Sequence, residues 1–339
     1  MRILHITEAY GGGITSALNS YVEATSSLDH CIIATTRDSD LTGQEAESIF
    51  SEIVILERNV KSILSLYKSV RRIKPDVIHV HSSYAGLIIR CLPMIGFPII
   101  YTPHAFSFLR NDRYLFRKMY YAAEKLLAYR VDAIAGCSKH EAAIARSLNS
   151  KLPVFEVVNV APDFLGEGVN GGRIRSRPLV GMVGRVCEQK GAQFFADVAQ
   201  DLRGVADFIW IGAGDKKLTK ALEDAGVHVA GWMPREEVLQ VMSDLDIYLY
   251  TAAWDGFPIS VLEAAKLNVP ILLREIGPFK YENLFCVENP CEAASILRDY
   301  PNSISKLQSV SENINHYHTM SRQSEQLYEV YAKCAAGTL

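Results

Sequence analysis

The chain has 339 residues, a length that suits two domains better than one, and 49% apolar and 22% charged residues, as in an ordinary globular protein. A net charge of −3 excludes a general electrostatic attraction to nucleic acid, and no nucleic-acid partner is expected. The seven cysteines are scattered, without a CxxC pair or a Cys/His cluster. This pattern argues against a disulfide framework and a zinc site, and it favours a reducing cytoplasmic compartment.

The apolar segments that could target or anchor the chain lack the required pattern. The first residues, MRILHIT, hold too few apolar side chains for a signal peptide. The stretch AGLIIRCLPMIGFPIIY is interrupted by Arg90, Pro93 and Pro98. It therefore predicts a helix followed by a buried strand and not a membrane span.

Short apolar strands alternate with helix-period segments in two successive series. Such alternation is typical of a parallel sheet covered by helices on both faces. The first series predicts strands at RILHIT, CIIATT, EIVIL, DVIHVH, PIIYTP, DAIAGCS and VFEVVNV, with helices that include ITSALNSYVEA, KSILSLYKSVRRI, LFRKMYYAAEKLLAYR and KHEAAIARSL. The second predicts strands at PLVGMVG, ADFIWIG, VHVAGW, DIYLYTA, VPILLRE and LFCVEN, with helices that include AQFFADVAQDL, KKLTKALEDAG, REEVLQVMSDL and SVLEAAKL.

The two series are separated by GEGVNGGRIRSRP, residues 166–178, which is rich in Gly and Arg and reads as an interdomain linker. The fold expected is two doubly wound, Rossmann-like α/β domains facing across a cleft. Their bounds are predicted as residues 1–168 and 169–317, with a last helix in residues 318–339 that is expected to return to the first domain. Ligands of open parallel sheets bind at the carboxyl ends of the strands, so binding residues are sought in the loops that follow strands.

The first such loop is GRVCEQKG, residues 184–191, after the first strand of the second series. Gly184 and a second Gly at the other edge allow tight turns. Arg185 offers a rigid fork suited to phosphate oxygens, Lys190 a mobile charge, and the following helix free N–H groups. The loop can hold a diphosphate, although by itself it fits a solvated turn with two surface cations slightly better. It is neither a Walker A loop nor a dinucleotide fingerprint.

The second stretch is WDGFPISVLEAAKLNVP, residues 254–270, after the strand DIYLYTA. Asp255 is expected in the loop and Glu263 in the next helix. Carboxylates near a phosphate site can accept hydrogen bonds from ribose or sugar hydroxyls. The plainer interpretation makes Asp255 a helix N-cap and Glu263 a surface residue. Taken alone, the stretch supports both interpretations equally.

In this order, GRxxxxKG followed by an acid-x7-acid motif resembles the family 4, group 1 retaining glycosyltransferases, which have the GT-B fold. The family pattern E-G-F/L-P/G is matched by Asp255, Gly256, Phe257 and Pro258. Order and loop placement match over nearly the whole chain. Each motif is weakly specific, but the ordered set is specific.

The resemblance implies a role for each charged residue of the two motifs. Arg185 and Lys190 would contact the diphosphate of a UDP-, GDP- or dTDP-sugar donor and stabilise the charge that develops on it as the sugar leaves. Glu263 would bind the ribose, and Asp255 would face the donor sugar. The scheme requires no cofactor and no metal.

Two loops of the first series also follow strands. GGGIT begins with Gly11, Gly12 and Gly13, which permit close backbone approach, and the resemblance places such a loop near the donor phosphates and the acceptor. Its plainer interpretation is a flexible turn. YTPHAF contains His104, which the resemblance places near the reacting sugar; without the other motifs it reads as a capping or half-buried histidine.

Three other histidines, His5, His79 and His81, lie in or just after predicted strands and are taken as structural residues. Three further loops of the second series carry candidate substrate-binding residues by resemblance. Gly277, in EIGPFKYENL, would lie beside the phosphates. Gly212, in WIGAGD, belongs to a glycine loop at the end of a strand. Trp232, in GWMP, would lie near the base.

The sequence departs from the family pattern at several places. Asp255 replaces the usual Glu, so its carboxylate reaches one methylene less far. Pro278 replaces a second Gly, Asn268 stands where the family often has Gly, and VNVAPDF replaces the usual N-G-V/I-D turn. These changes bear on the identity of the donor more than on the fold.

A basic and aromatic stretch, FSFLRNDRYLFRKMYYAAEKLLAYR, spans residues 106–130. Aromatic side chains interleaved with Lys and Arg suit an anionic membrane surface or a lipid-linked acceptor. The more general interpretation is an amphipathic helix with its aromatic side chains in the core. The resemblance favours peripheral contact with the inner face of the plasma membrane.

The activity expected is retaining transfer of a sugar from a nucleotide-diphosphate donor to a glycan or lipid-linked saccharide, in bacterial surface polysaccharide synthesis. The alternatives are a non-catalytic nucleotide-sugar-binding protein and another enzyme of the same fold, such as a sugar-nucleotide epimerase or a phosphorylase. An NAD oxidoreductase fits less well, because the GGGIT loop lacks the full fingerprint.

Overall fold

A computed structural model of the chain describes residues 1–8, 10–35, 49–57, 59, 62–93, 96–162 and 175–337. The chain divides into two compact units. The first consists of Met1–Val160 and Thr319–Leu339, and the second of Ala161–His318. Most of the predicted linker, and the predicted boundary between residues 168 and 169, lie outside the described residues.

The first unit contains a parallel sheet whose strand order is β3-β2-β1-β4-β5-β6-β7. Within the described residues, its strands are β1 (Arg2–Thr7), β2 (Asp29–Thr35), β3 (Glu52–Leu56), β4 (Val77–His81), β5 (Ile99–Thr102), β6 (Ala133–Gly136) and β7 (Val154–Glu156). The α-helices are α1 (Gly13–Ala24), α2 (Ser62–Ile73), α3 (Ser83–Cys91), α4 (Tyr114–Leu127) and α5 (Lys139–Leu148). Short 3-10 turns lie at Ser107–Leu109 and Ala128–Arg130.

The order in which successive strands are added across this sheet reverses between β1 and β4, which pair with each other. All of β4 is buried, as expected for a central parallel strand covered on both faces. The carboxyl ends of β1, β4 and β5 therefore lie side by side, and the predicted loops after β1 and β5 belong to the same edge of the sheet.

The last helix, α13 (Met320–Ala335), packs against this first sheet, and it belongs to the first unit. Its apolar residues recur at the spacing of one helix face, and Leu327, Val330, Tyr331 and Cys334 are buried with residues of β1, β4 and β6. The Tyr331 hydroxyl also lies 2.9 Å from His79 Nδ1, so the helix is attached to β4 by a polar contact within the apolar one.

The second unit contains a parallel sheet of order β10-β9-β8-β11-β12-β13. Its described strands are β8 (Leu179–Val183), β9 (Asp207–Ile211), β10 (Val227–Gly231), β11 (Ile247–Tyr250), β12 (Ile271–Arg274) and β13 (Cys286–Val287). The helices are α6 (Ala192–Asp201), α7 (Lys216–Asp224), α8 (Arg235–Ser243), α9 (Ile259–Lys266), α10 (Gly277–Tyr281), α11 (Pro290–Arg298) and α12 (Tyr300–Tyr317).

Each predicted strand is present, shortened at some ends by one to four residues, and β2 begins two residues earlier than predicted. The main differences lie near the end of the second unit, where α11 and α12 were not predicted and α10 occupies part of the predicted loop EIGPFKYENL. In α12 the buried positions Leu307, Val310 and Ile314 are diluted by polar residues, so the helical period is weak in the sequence.

Candidate functional site

The loops carrying the two predicted motifs of the second unit follow neighbouring strands. β8 and β11 are adjacent and parallel, with Gly181 opposite Tyr248, and the strand order reverses between them. Loop 184–191 follows β8 and loop 251–258 follows β11. Their common position at the carboxyl edge of the sheet is where ligands of this architecture bind.

Lys190 and Asp255 meet at this edge. Lys190 Nζ lies 2.8 Å from Asp255 Oδ2, and the Tyr250 hydroxyl donates a hydrogen bond of 2.7 Å to the same oxygen. Gly256 donates its amide to Asp255 Oδ1 at 2.8 Å. Burial raises the pKa of Asp255, but the Lys190 ammonium and these hydrogen bonds outweigh burial and lower it below the ordinary value. Asp255 is therefore held as a carboxylate, and Lys190 is fixed in place by it.

The backbone of loop 184–191 is packed directly against its neighbours. Gly191 caps α6 with a φ of 73°, and a Cβ placed there would lie 2.0 Å from the Thr251 carbonyl oxygen. A Cβ on Gly212 would lie 2.1 Å from the carbonyl oxygen of Gly184. The absence of a side chain at Gly191 and Gly212 thus allows neighbouring backbone segments to pack closely. The side chain of Arg185 remains exposed at the surface of its loop.

Glu263 lies on α9 and is buried, its side chain only 7% exposed, so it is not the surface residue of the plainer interpretation. It forms an ion pair with Arg235, the first residue of α8. Burial raises the pKa of Glu263, and Arg235 opposes that effect. Trp232 lies three residues before Arg235 and is 76% exposed. The fold thus pairs a buried acid with a cation 28 residues away, and the exposed ring of Trp232 lies three residues before that cation in the sequence.

The other predicted residues of the second unit are differently placed. Phe257 is 2% exposed, and its ring packs against Phe279 and His318 with centroids 5.5 and 4.0 Å apart. Gly256 and Pro258 are buried beside it, and Gly277 is the first residue of the short helix α10.

His104 follows β5 in a turn with unusual backbone geometry. His104 and Ala105 have φ values of 50° and 80°, in the left-handed region that non-glycine residues rarely adopt. The buried Glu141 holds this turn, because its carboxylate accepts hydrogen bonds from the amides of Ala105 at 2.7 Å and Cys137 at 2.8 Å. Positive φ at two successive residues costs about 1–3 kcal/mol each and persists where the surroundings enforce it, as at functional sites.

The histidines taken as structural are buried, and the structure connects them to His104. His81 Nδ1 lies 3.2 Å from His104 Nε2, and His81 Nε2 lies 3.0 Å from His5 Nδ1. Ring nitrogens of His5, His79 and His81 all lie within 4.8 Å of one another. No local pattern in the sequence indicates this cluster, because its members come from two strands, β1 and β4, and from the turn after β5.

The glycine loop after β1 leads directly into α1. Gly12 caps the helix with a φ of 60°, and Gly13 is its first residue. A Cβ added to Gly12 or Gly13 would meet no described heavy atom within 4 Å. Space therefore adjoins the backbone here, in contrast to the tightly packed glycines of the second unit. Gly11 precedes Gly12 in the same loop.

The basic stretch includes α4, and most of the apolar side chains of this helix are exposed. Tyr114, Leu115 and Leu126 are 70%, 76% and 72% exposed. The one buried residue within α4 is Glu124, which pairs with Arg90 at 2.8 Å beneath the helix. The interpretation that places the aromatic side chains in the core is therefore wrong for Tyr114. It is correct for Tyr120, which packs against the core, and for Phe106 and Phe108, which are buried before the helix begins. Among the described residues, no helix has the length and apolar character needed to cross a membrane.

Comparison with known families supports this arrangement of motifs. Residues 12–155 match the model described as Glycosyltransferase Family 4, and residues 177–300 match the model described as Glycosyl transferases group 1. The two matches cover both units and leave a short gap between them. The chain is a family 4, group 1 glycosyltransferase.

Relatives of this glycosyltransferase are found among bacterial proteins. A protein described as an uncharacterized 41.2 kDa protein in the cps region of Klebsiella pneumoniae is 27% identical over 300 residues, 82% of each chain. The UDP-Gal:alpha-D-GlcNAc-diphosphoundecaprenol alpha-1,3-galactosyltransferase of Escherichia coli is 24% identical over 250 residues, 66% of this chain and 64% of that protein.

Solved structures show the fold of this glycosyltransferase. Sucrose-phosphate synthase from Thermosynechococcus elongatus has a TM-score of 0.81 at 13% identity, covering 99% of this chain and 100% of that one. Anabaena HepE in complex with UDP and glucose has a TM-score of 0.78 at 16% identity, covering all of both chains. The predicted class, two Rossmann-like α/β domains of the GT-B type, is confirmed.

Sequence reasoning missed three residues that contact the candidate site residues of this glycosyltransferase. Tyr250 ends β11 five residues before Asp255, and Arg235 opens the helix after Trp232; both positions lie at strand or helix ends near a motif. Glu141 has a local signal, because Ser138-x-x-Glu141 is a capping-box pattern, and Ser138 Oγ does accept from the Glu141 amide. That pattern does not predict the hydrogen bond between the Glu141 carboxylate and the Ala105 amide.

Proposed function

We propose that this glycosyltransferase moves a sugar from a nucleotide-diphosphate donor to a lipid-linked saccharide, with retention of the anomeric configuration, during synthesis of a bacterial surface polysaccharide. The observation that carries the donor half is the contact of Lys190 with Asp255 at the carboxyl ends of β8 and β11. Anabaena HepE, which shares the fold, has been solved in complex with UDP-glucose, and this supports a nucleotide-sugar donor.

Two relatives support the acceptor and the stereochemistry. Besides the Escherichia coli galactosyltransferase, whose name specifies an acceptor on diphosphoundecaprenol and an alpha-1,3 product, an N-acetylgalactosaminyltransferase of Campylobacter jejuni carries a name with the same two features. The Campylobacter enzyme matches 30% of this chain. We therefore infer a diphosphate-linked lipid acceptor and an alpha-linked product.

In this proposal Lys190 and Arg185 bind the donor diphosphate. An ammonium has three N–H donors, so Lys190 can keep Asp255 and still contact a phosphate oxygen. Negative charge grows on the diphosphate as the bond to the sugar breaks, and cations already fixed in position stabilise it without reorganising. Removal of either cation should cost about 3 kcal/mol of barrier, by comparison with oxyanion sites.

The two acids have different tasks in the proposal. Asp255 positions Lys190 and faces the donor sugar, while Glu263 accepts hydrogen bonds from the ribose hydroxyls. Because burial alone would favour protonation of Glu263, Arg235 is needed to keep it an acceptor. Trp232, which is exposed and lies three residues before Arg235, would contact the base. Gly256, Pro258, Gly212 and Gly277 shape the donor site through their backbones.

The first unit supplies the groups near the acceptor and the transferred sugar. His104 would contact the reacting sugar, and Gly11, Gly12 and Gly13 would allow phosphate or acceptor oxygens to approach the backbone. The open space beside Gly12 and Gly13 supports this role. The lipid carrier would be met by α4, whose exposed apolar and basic side chains suit an anionic membrane surface.

The donor is tested by thermal shift with UDP, GDP, dTDP and their sugars. A ligand at about a hundred times its dissociation constant stabilises the folded protein by roughly 2.7 kcal/mol. Release of nucleoside diphosphate when acceptor is added then separates a transferase from a protein that only binds nucleotide sugars. Proton NMR of the first product reports its anomeric configuration, and a beta product from an alpha donor would contradict retention.

The role of the cations is tested by Lys190→Met and Arg185→Met. Each should lower kcat about 100-fold. Lys220→Met, which removes an exposed cation from α7, is the matched control and should leave kcat unchanged. Full activity of Lys190→Met would remove this residue from the mechanism.

Membrane contact is tested by sedimentation with vesicles of anionic phospholipid. Binding should weaken as the salt concentration rises, because exposed charges are screened. Lys118→Glu and Leu115→Ser in α4 should each weaken it, whereas Lys220→Glu should not. Failure to bind at low salt would show that α4 has another role.

A further inference from the structure

Four histidines form a continuous hydrogen-bonded row in the first unit, from β2 to the turn after β5. His30 Nδ1 lies 3.0 Å from His5 Nε2, His5 Nδ1 lies 3.0 Å from His81 Nε2, and His81 Nδ1 lies 3.2 Å from His104 Nε2. We call His30, His5, His81 and His104 the histidine row. The first three are buried, and the row ends at the histidine proposed to contact the sugar.

The rings of the row meet edge to edge. Successive ring centroids are 5.2, 5.3 and 5.4 Å apart, with interplanar angles of 24°, 26° and 26°. These separations are too long for face-to-face contact, and they match nitrogen atoms that point at each other across 3.0–3.2 Å. Each contact is therefore an N–H···N hydrogen bond, with a proton on one nitrogen only.

The direction of these bonds is set at the far end of the row. His30 Nε2 lies 3.1 Å from both the carbonyl oxygen and the hydroxyl oxygen of Thr25. The carbonyl can only accept, and the Thr25 hydroxyl gives its own proton to the Tyr21 carbonyl at 2.6 Å. His30 Nε2 must therefore carry a proton, which leaves Nδ1 of the neutral ring as an acceptor.

The position of the proton on His30 determines the position of the proton on each following ring of the row. Because His30 Nδ1 accepts, His5 Nε2 donates and His5 Nδ1 accepts; His81 repeats the pattern. His104 then donates from Nε2 to His81, and its own Nδ1 carries the lone pair. Burial lowers the pKa of His30, and lowers well below the ordinary value the pKa of His5 and His81, which agrees with neutral rings.

We propose that the histidine row fixes the tautomer of His104, with the proton on Nε2 and the lone pair on Nδ1, and that His30, His5 and His81 are positioning residues for it. This inference rests on the proposed role of His104 in glycosyl transfer.

A metal ion held by His5, His79 and His81 explains the cluster less well. Both nitrogens of His5 and of His81 are used within the row. His79 is bonded on both sides as well, at 2.9 Å from the Tyr331 hydroxyl and 2.8 Å from the Thr102 hydroxyl. A metal would have to replace these hydrogen bonds, whereas the tautomer chain uses all of them.

The direct test is the tautomer of each histidine in the full chain. Two-bond proton–nitrogen correlation spectra of protein labelled with ¹⁵N-histidine separate protonated from bare ring nitrogens, and His104→Ala assigns one set of signals. We expect neutral rings with the proton on Nε2 for all four members of the row at neutral pH. A proton on Nδ1 of His104, or a charged ring within the row, would overturn the proposal.

Variants test the direction of the row. His30→Leu removes its end, so His104 should populate both tautomers, with kcat falling about tenfold by comparison with residues that support a functional histidine. KM for the donor should not change, because the donor nucleotide is proposed to bind the second unit. His30→Gln keeps an acceptor and a donor at this position and should restore both the tautomer and most of kcat.

His79→Gln is the matched control, since His79 is equally buried in β4 but lies outside the row. It should leave the His104 signals unchanged. If His30→Leu does not fold, the spectrum of the unsubstituted protein still tests the predicted tautomers. Full transfer activity of His104→Ala would refute the catalytic role of His104 and leave the tautomer result standing, whereas unchanged His104 signals in folded His30→Leu would refute the row.

Discussion

At the scale of single residues, Lys190 and Asp255 form the part of the candidate site with the strongest electrostatic constraint. Each is less than a quarter exposed, and Asp255 accepts hydrogen bonds from Lys190, Tyr250 and the Gly256 amide. An aspartate with these partners is stabilised in its charged form. The charge of Asp255 should therefore contribute to the stability of the second unit as well as to donor binding.

Asp255→Asn should lower the free energy of unfolding of the second unit by about 2 kcal/mol at neutral pH, the usual worth of hydrogen bonds to a charged group. The folded-state pKa of Asp255 lies below the ordinary value, so this stabilisation is complete above about pH 4 and is lost as pH falls further. The difference between parent and variant should shrink below about pH 4.

The measurement is urea denaturation at a series of pH values, followed by tryptophan fluorescence. Trp210, Trp232 and Trp254 are the tryptophans of the chain, and all belong to the second unit, so this signal reports that unit alone. A difference that stays constant down to pH 3 would show that Asp255 is not ionised by its neighbours.

At the scale of loops and helices, the close contact of loop 184–191 with β11 depends on the absence of a side chain at one position. Gly191→Ala would place a methyl group 2.0 Å from the Thr251 carbonyl and force a positive φ on alanine. We expect a loss of about 3 kcal/mol or more in the stability of the second unit.

Gly204→Ala is the control for the backbone effect alone. Gly204 has a φ of 82°, but a Cβ there meets no described atom within 4 Å, so about 1 kcal/mol should be lost. Urea denaturation followed by tryptophan fluorescence compares the two variants. Equal losses would mean that the contact with Thr251 relaxes without cost.

The helix α4 is attached to the first unit in part by a buried ion pair, since its buried residue is Glu124. This carboxylate pairs with Arg90, whose guanidinium also lies over the Tyr101 ring at 4.0 Å. Glu124→Gln should cost about 3–5 kcal/mol, because it leaves a buried cation without its counter-charge. Arg90→Met/Glu124→Leu should recover much of that loss.

Stability of the first unit in these variants is measured by urea denaturation with far-ultraviolet circular dichroism. The double variant also separates attachment of α4 from its charge, because Glu124 is buried and adds little to the surface potential. If Glu124→Gln were as stable as the parent, the packing of Tyr101 and the rest of α4 would suffice to hold the helix.

At the scale of the whole molecule, the two units should respond differently to acid. Burial holds the pKa values of His5, His79 and His81 well below the ordinary value of about 6.5. Below that pH the unfolded chain binds protons that the folded first unit does not, so its stability is full above pH 6.5 and falls as pH decreases.

Three such rings give a slope of about 4 kcal/mol per pH unit, against a total stability of about 5–15 kcal/mol for a domain. If the three rings stay neutral in the folded state, the first unit should therefore unfold between about pH 5 and pH 3. Nearby ionisable groups do not reverse this sign: the pKa values of Tyr21 and Tyr331 are raised, so both stay neutral, and Asp29 acts on His30.

The expected observation is a loss of circular dichroism between about pH 5 and pH 3 that begins at a higher pH than any change in tryptophan fluorescence. His79→Gln should reduce the slope by about 1.4 kcal/mol per pH unit. Simultaneous loss of both signals, or a first unit that is intact below about pH 2.5, would contradict the prediction.

The alternation of strands and helices, the two sheets and the loops that carry Lys190, Asp255 and His104 all follow from the sequence by itself. Each depends on local periodicity or on a position just after a strand, and both are properties of neighbouring residues. Weak periodicity explains why α12 was not foreseen.

Only the tertiary structure decided which distant residues meet. Glu141 reaches the turn at His104, Arg235 reaches Glu263, and Arg90 reaches Glu124 across 28 to 36 positions of sequence. The histidine row joins β2, β1, β4 and the turn after β5. Such contacts depend on the strand order and on which side chains the fold buries together, and no local sequence pattern indicates them. The same burial raises or lowers the pKa of an ionisable group according to the charges and hydrogen-bond partners around it.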